Sequence, residues 1–462
     1  MGRLRARKWS WDLGLGPQLG SVFWAMVGLE ATYGAYSGIW PLWIETLGAP
    51  VAVVGLVLGS AGLLRLFVLL PSASLGERLP ARTIILAART VTMVGLVVAM
   101  LATHWTQLLA AVACNAIGEV TFPIIQSYVA KHAADNRVRA FTLVFNVGPA
   151  VAFGLAPLVA GGAIALWGMG AAFALAIVFA SFSLFWFSRM SGEREEPRAA
   201  DAPSGSYRDA FALPGVARLL VLQFLTIFAL SLGISLLPNY LADTRGFAPA
   251  TIAILGGLGS FGSVLYGVAV TRSRKLQSHP YAAIALASCF VIATLAVCVV
   301  AQRQWPIILA FFGRGGLWSA WGLFVAGLSE VVGDTPHKAR AFALSEMIGG
   351  TAFFSAPMLA GVLYDLGPAT PLLASIGLAV AMLPVLVWSQ RHHAPRRQDQ
   401  DDRHQWQPEA ADREKDRRRP AVVADPQPEQ PAIRAPQPLA PAEHRQRQRD
   451  EVEQIIQHEG QS

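Results

Sequence analysis

Charge is nearly missing from most of this chain. Up to Ser389 there are 24 Lys and Arg and 16 Asp and Glu, about one charged residue in ten. Soluble domains carry roughly 25%. A body so poor in charge cannot cover a surface that faces water, so the chain is predicted to be an all-α polytopic membrane protein. The 73 residues from Gln390 to Ser462 differ sharply, with 27 charges. This contrast excludes a soluble enzyme, a secreted disulfide scaffold and a nucleic-acid module. The three cysteines, Cys114, Cys289 and Cys298, lie in apolar runs without a CxxC or Cys/His pattern. Neither a disulfide framework nor a metal site is expected.

A hydrocarbon core of ~30 Å needs ~20 apolar residues per helix. That ruler gives twelve candidate spans: 20–42, 51–72, 82–102, 105–128, 139–163, 166–189, 217–240, 250–271, 281–301, 305–330, 340–363 and 368–389. With the N-terminus inside, alternate segments up to the last span hold 19 Lys and Arg on the inner side and only Arg245 and Arg303 on the outer side. The positive-inside rule then places both termini in the cytoplasm. The domain reading is a basic cytoplasmic N-terminus (1–19), a six-helix half (20–189), a polar cytoplasmic linker (190–216), a second six-helix half (217–389) and a tail (390–462). The tail has nine prolines and one aromatic, Trp406, too little apolar surface to fold alone, and is expected to be disordered.

The two halves share a pattern. In the fifth span the chain reads Phe153-x-x-Ala156-Pro157-x-x-Ala160-Gly161, and in the eleventh Phe353-x-x-Ala356-Pro357-x-x-Ala360-Gly361. Arg139-Ala140-Phe141 and Arg340-Ala341-Phe342 open the two spans. Small residues let helices approach closely, and a proline weakens a helix where it must bend.

Twelve spans in two related halves, joined by a cytoplasmic linker, resemble the major facilitator superfamily of secondary transporters over residues 17–390. That family carries a Gly-x-x-x-Asp-Arg-x-Gly-Arg-Arg type pattern between its second and third spans. Here the acid-base pair Glu77-Arg78 and the distal Arg82 match it, while two glycines and one basic residue are lost, and Gly267, Arg272 and Lys275 echo it in the second half without the acid. The resemblance implies a cytoplasmic latch built from Glu77, Arg78, Arg82 and Arg272; simple positive-inside anchoring is the other reading. Two patterns of the family's proton-coupled drug antiporters are lost or weakened. Cys114 stands where they carry Arg in the fourth span, and Ala156-Pro157-x-x-Ala160-Gly161 is a diluted form of their fifth-span motif.

Ionisable groups deep in a membrane are costly unless paired or hydrated, and so they mark function. Clear of the span ends lie Glu30, Arg65, Glu119, Arg314 and Glu346, in spans one, two, four, ten and eleven. Arg89 lies near a cytoplasmic end, where it is expected to snorkel. At ~1.5 Å per residue, Arg65 and Glu119 fall at the same depth and are predicted to touch. Such a pair is either a static tie or a carboxylate that releases its partner to take a proton. Glu30, with no partner in its own helix, is the first candidate proton carrier, followed by Glu119 and Glu346. Polar and aromatic residues recur at helical spacing beside these charges: Tyr33, Ser37 and Trp40 in span one, Asn115 and Gln126 in span four, Ser231, Ser235 and Asn239 in span seven, Trp318 in span ten. Of these, Tyr33, Ser37, Asn115, Gln126, Asn239 and Trp318, together with Arg65 and Arg314, are the candidate cavity and substrate residues, and Trp40, near a span end, reads equally as an interface anchor.

The sequence reading is a proton-coupled secondary transporter, a monomer in the plasma or inner membrane, moving a small organic solute by alternating access, with export favoured. It has no G-x-x-x-x-G-K-[ST] loop, so no nucleotide, cofactor or enzymatic activity is expected. Uptake of a sugar or organic anion is the alternative. A transport-inactive sensor or scaffold acting through its tail is the rival from another class.

The charge asymmetry generates a topology prediction. Single cysteines introduced at 73–82, 191–213 or 390–462, in a cysteine-free background, should resist an impermeant thiol reagent in intact cells. Labelling at 191–213 from outside would overturn the two-half arrangement.

Overall fold

The computed structural model describes residues 11–69, 79–133, 137–192, 207–333 and 337–391. The expected tail and Glu77 and Arg78 of the latch lie outside the described residues, as does most of the linker. Among the described residues all regular structure is helical. In a bilayer this follows from the backbone, whose polar groups must find partners within the segment.

The expected first half holds α1 (Pro17–Ser37), α2 (Trp40–Thr46), α3 (Val51–Leu69), α4 (Ala81–Leu101), α5 (Gln107–Gly118), α6 (Thr121–His132), α7 (Gly148–Trp167) and α8 (Gly170–Phe187). The second consists of α9 (Val216–Ser235), α10 (Leu237–Asp243), α11 (Pro249–Arg272), α12 (Pro280–Val300), α13 (Gln304–Ala310), α14 (Gly316–Val332), α15 (Lys338–Leu366) and α16 (Thr370–Arg391). Between the halves Tyr207–Ala212 forms a short helix that buries Ala210.

Eleven helical stretches among the described residues are long and apolar enough to cross a membrane. The expected first span, α1 with α2, is not among them. Glu30, Tyr33, Tyr36 and several glycines dilute its hydropathy, yet most of α1 is buried. It packs between α7 and α8 and presents little surface to lipid. Gly34, for example, sits so close to α7 that a Cβ there would lie 3.0 Å from the Phe153 carbonyl oxygen. A helix shielded by its neighbours need not be apolar all round.

Four of the expected spans are interrupted, in matching places of the two expected halves. The first breaks at Gly38 and Ile39 and resumes with Pro41, and the seventh breaks at Leu236 and resumes with Pro238. The fourth breaks at Glu119 and Val120, between α5 and α6. Pro123 has no N–H for the Glu119 carbonyl, which accepts instead from Phe122 N at 3.2 Å. The tenth tightens into a 3₁₀ turn over the glycine-rich Phe311–Gly315, which carries Arg314. In addition, a π-helical turn over Thr142–Val147 precedes α7, where Pro149 removes a donor.

The halves meet through α3 with α15, α7 with α11, α1 with α11 and α2 with α10. The proline motifs lie at these seams. Pro157 is inside α7 and Pro357 inside α15, with Ala156 and Ala356 buried beside them. A Cβ on Gly161 would lie 2.8 Å from the Ala250 carbonyl oxygen, and one on Gly361 would lie 2.7 Å from that of Ala52. Both seams are tightest toward the end of the bundle that holds α2 and α10.

Gly55 is the most confined of these positions on α3, since a Cβ there would meet the Pro357 carbonyl oxygen at 2.3 Å. Gly55→Val should therefore part the halves at this end, at a cost to the closed arrangement of about 1–3 kcal/mol. The measurement is thiol labelling of Ser235→Cys from that face, in a background lacking the native cysteines. Labelling at the Gly55 wild-type level would reject the packing argument.

Candidate functional site

Three groups of polar side chains lie along the contact between the halves. The first is an ion cluster centred on Arg65 of α3. Its Nε lies 3.4 Å from Glu119 Oε2, at the break between α5 and α6, and its Nη2 lies 3.3 Å from Glu346 Oε2 of α15. One guanidinium thus holds a carboxylate from each half. Tyr33 donates its hydroxyl to Glu119 Oε1 at 2.9 Å, and Asn115 Nδ2 donates to Tyr36 Oη at 3.1 Å. Glu30 is half-buried nearby, within electrostatic reach of Glu119 and Arg89, and no hydrogen bond or ion pair falls to it among the described residues.

Arg89 corrects the sequence reading. It does not snorkel toward a helix end. It is 4% exposed, donates to Thr121 Oγ1 and lies 5.6 Å from the Phe122 ring centre. The start of α6 supplies the hydroxyl and the ring, which makes an inward path cheaper than an outward one.

The second group lines a central cavity of about 220 Å³ between the halves. Ser37, Arg314 and Trp318, singled out in the sequence, are on its wall, together with Trp40, Ser231 and Ser235. Phe353 stacks on Trp318 with ring centres 5.6 Å apart. Tyr33, Arg65, Asn115, Gln126 and Asn239 are not part of this wall. Tyr33 and Arg65 belong to the ion cluster, Asn115 to the tyrosines of α1, and Gln126 is exposed on α6.

The third group is a clasp at the end of the bundle formed by α2 and α10. Asn239 is fully buried there and donates to Glu45 Oε2 across the halves. Tyr364 donates to Asp243 Oδ2 at 2.7 Å, and Glu45 and Asp243 are close enough to interact. Asn239 therefore sits in the clasp and not in the cavity, because the break at Leu236 turns α10 away from the face of α9 that carries Ser231 and Ser235. Glu45, Asp243 and Tyr364 were missed in the sequence. The signal was available: Glu45 follows Pro41 by four residues and Asp243 follows Pro238 by five, in matching spans. Of the expected latch, Arg82 is half-buried and Arg272 exposed, and no ion pair falls to either among the described residues.

A family model described as Major Facilitator Superfamily matches residues 22–335. The chain belongs to the major facilitator superfamily. No curated protein matches it by sequence. Solved transporters share its fold at low identity. The nucleoside transporter NupG is 14% identical at a TM-score of 0.64, with 80% of this chain and 98% of that chain covered. The human organic anion transporter MFSD10 (TETRAN) is 15% identical at 0.57, covering 81% and 99%. A bacterial homolog of the human lysosomal transporter Spinster, inward-facing and unoccupied, is 17% identical at 0.58, covering 80% and 93%. Membership of this transporter family and the membrane-type helices make the chain a multi-pass membrane protein.

The shared guanidinium can be tested directly. Arg65→Leu leaves two carboxylates facing one another without a counter-charge. It should cost more thermal stability than the triple change Arg65→Leu, Glu119→Gln, Glu346→Gln. The penalty should fall short of the ~3–5 kcal/mol of a fully buried broken pair, since the Arg65 and Glu346 side chains are 35% and 42% exposed. Additive effects in the cycle would mean that the three groups do not act together.

Proposed function

We propose that this family member is a proton-coupled secondary transporter, a monomer in the cell membrane, that moves a small organic solute by alternating access. The observation that carries the reading is Arg65, held by Glu119 of one half and Glu346 of the other. When the halves rock apart at that level, one guanidinium cannot keep both partners. A carboxylate left alone in an apolar bundle is costly when charged and cheap when protonated. Proton uptake thereby becomes tied to the movement of the halves.

Glu30 is the proton carrier in this reading. It is near the ion cluster yet bonded to nothing in it, so its charge state is free to follow the side that is open. The clasp and the α3–α15 and α7–α11 seams close one end of the cavity. If the termini are cytoplasmic, as the loop charges predict, that closed end is the outer one and the arrangement faces inward. The aromatic wall of the cavity favours export of an amphipathic compound over uptake of a sugar. A retired transporter acting as a sensor would have no reason to keep such costly buried charges.

The coupling role has a direct test in proteoliposomes, using a labelled panel of small organic acids, amines and sugars with and without a pH gradient. Glu30→Gln mimics the protonated acid. It should still bind and exchange solute but lose at least tenfold in accumulation driven by the gradient. Full gradient dependence in the mutant would pass the role to Glu119 or Glu346. No transport of any panel member by the wild type, under either condition, would count against the transporter reading itself.

A further inference from the structure

Among the described residues, Arg314 is the one charged side chain on the wall of the central cavity. A guanidinium stays charged in a protein. Among the described residues no hydrogen bond or ion pair falls to it, and the centre of the Phe311 ring lies 5.7 Å from the guanidinium carbon. The acids described above lie elsewhere, Glu30 beside Glu119 and Arg89 among them. Glu119 and Glu346 face Arg65, Glu45 accepts from Asn239, and Asp243 accepts from Tyr364.

Arg314 is half-buried on the cavity wall, packed on one side. Gly259 of α11 runs alongside it; a Cβ there would touch the arginine Cβ and Cδ at 3.5 Å and Nη1 at 3.6 Å. Ser231, on the same cavity wall, is 2% exposed, and its hydroxyl has no hydrogen-bond partner. An unpaired cation and an unpaired buried hydroxyl on one wall are two unmet polar requirements. The rest of the wall is aromatic and apolar, with Trp40, Trp318, Phe153 and Phe353.

We infer that the cavity binds a small aromatic monocarboxylate, with its carboxylate on Arg314 and its ring between the tryptophans. This rests on the reading of the chain as a transporter of a small organic solute and names the class of that solute. A carboxylate matches the planar fork of a guanidinium. A single cation without a second on the wall balances one negative charge, which disfavours dicarboxylates and phosphate esters. The volume, about 220 Å³, is below the roughly 300–1,000 Å³ of pockets for drug-sized ligands. It suits a compound with one ring system.

The test uses the full-length protein purified in lipid nanodiscs, with benzoate, benzamide and benzylamine as isosteric probes of negative, zero and positive charge. Binding is read by tryptophan fluorescence and by the shift in unfolding temperature. Benzoate should bind at least tenfold more tightly than benzamide, and benzylamine should not bind. Arg314→Gln should remove the preference for benzoate over benzamide, and Arg314→Lys should keep part of it. Because the preference is a property of the wild type, the inference stays testable if a variant fails to fold. Equal binding of benzoate and benzamide, tighter binding of benzylamine, or no binding of benzoate overturns it. Labelled benzoate in proteoliposomes separates the two claims. Gradient-driven transport of a different solute, with no benzoate binding, sinks the anion site and leaves the transporter. Arg314-dependent benzoate binding in a protein that transports none of the panel sinks the transporter and leaves the site.

Discussion

A single guanidinium shared by two carboxylates from opposite halves is the interaction on which the rest of the structure depends. Arg65 cannot be neutralised from α3 itself, which carries no acid. The fold answers by bringing α3 against both the broken fourth crossing and α15. Breaking the helix at Glu119 frees backbone there as well as placing the acid. Tyr33 then fixes the second oxygen of Glu119, which connects α1 to the same cluster. Movement of either half must rearrange these contacts together.

The seams between the halves solve a different problem. Lipid tails are as apolar as leucine, so burial alone does not hold helices together in a membrane, and close packing must. Gly55, Gly161, Gly257 and Gly361 allow backbone carbonyls and helix axes to meet at distances that a side chain would forbid. The prolines in α7 and α15 stand at the same level. The cavity remains just inside these tight contacts, where the interrupted first, seventh and tenth crossings contribute Ser37, Trp40, Ser231, Ser235 and Arg314.

The architecture was largely legible in the sequence because it follows from charge scarcity and span length, which are local properties. The helices α4, α8, α11, α12 and α16 begin and end within a few residues of the spans read from hydropathy. The hydropathy signal is weakest for the first crossing, where α1 is buried by neighbours the sequence does not show. Contact between Arg65 and Glu119 was readable from depth, since helical rise is fixed. The third partner, Glu346, was not, because it belongs to the other half and depends on how the halves dock. Arg89 was misread because its distance from the helix end suggested snorkelling, while Thr121 and Phe122 on α6 draw it inward. Asn239 was misread because helical periodicity was carried through a break that the Leu236-Leu237-Pro238 run imposes. Local rules fail here where a helix stops and where two halves meet.

The interior charges also have an electrical consequence. Arg65, Arg89 and Arg314 equal Glu30, Glu119 and Glu346 in number, three positive and three negative groups within the expected spans. With all six ionised, the empty bundle is neutral inside, and swinging it between its two faces drags no net charge through the membrane potential. A single bound proton changes that. One elementary charge crossing the full potential is worth about 2.3 kcal/mol per 100 mV, so a protonated carrier is pushed toward the negative side while a carrier that also holds a monoanion feels no push. In the proton-coupled cycle proposed above, the voltage across the membrane acts on a step made with a proton alone and not on one made empty or with proton and monoanion together, and the balance of six side chains sets that difference.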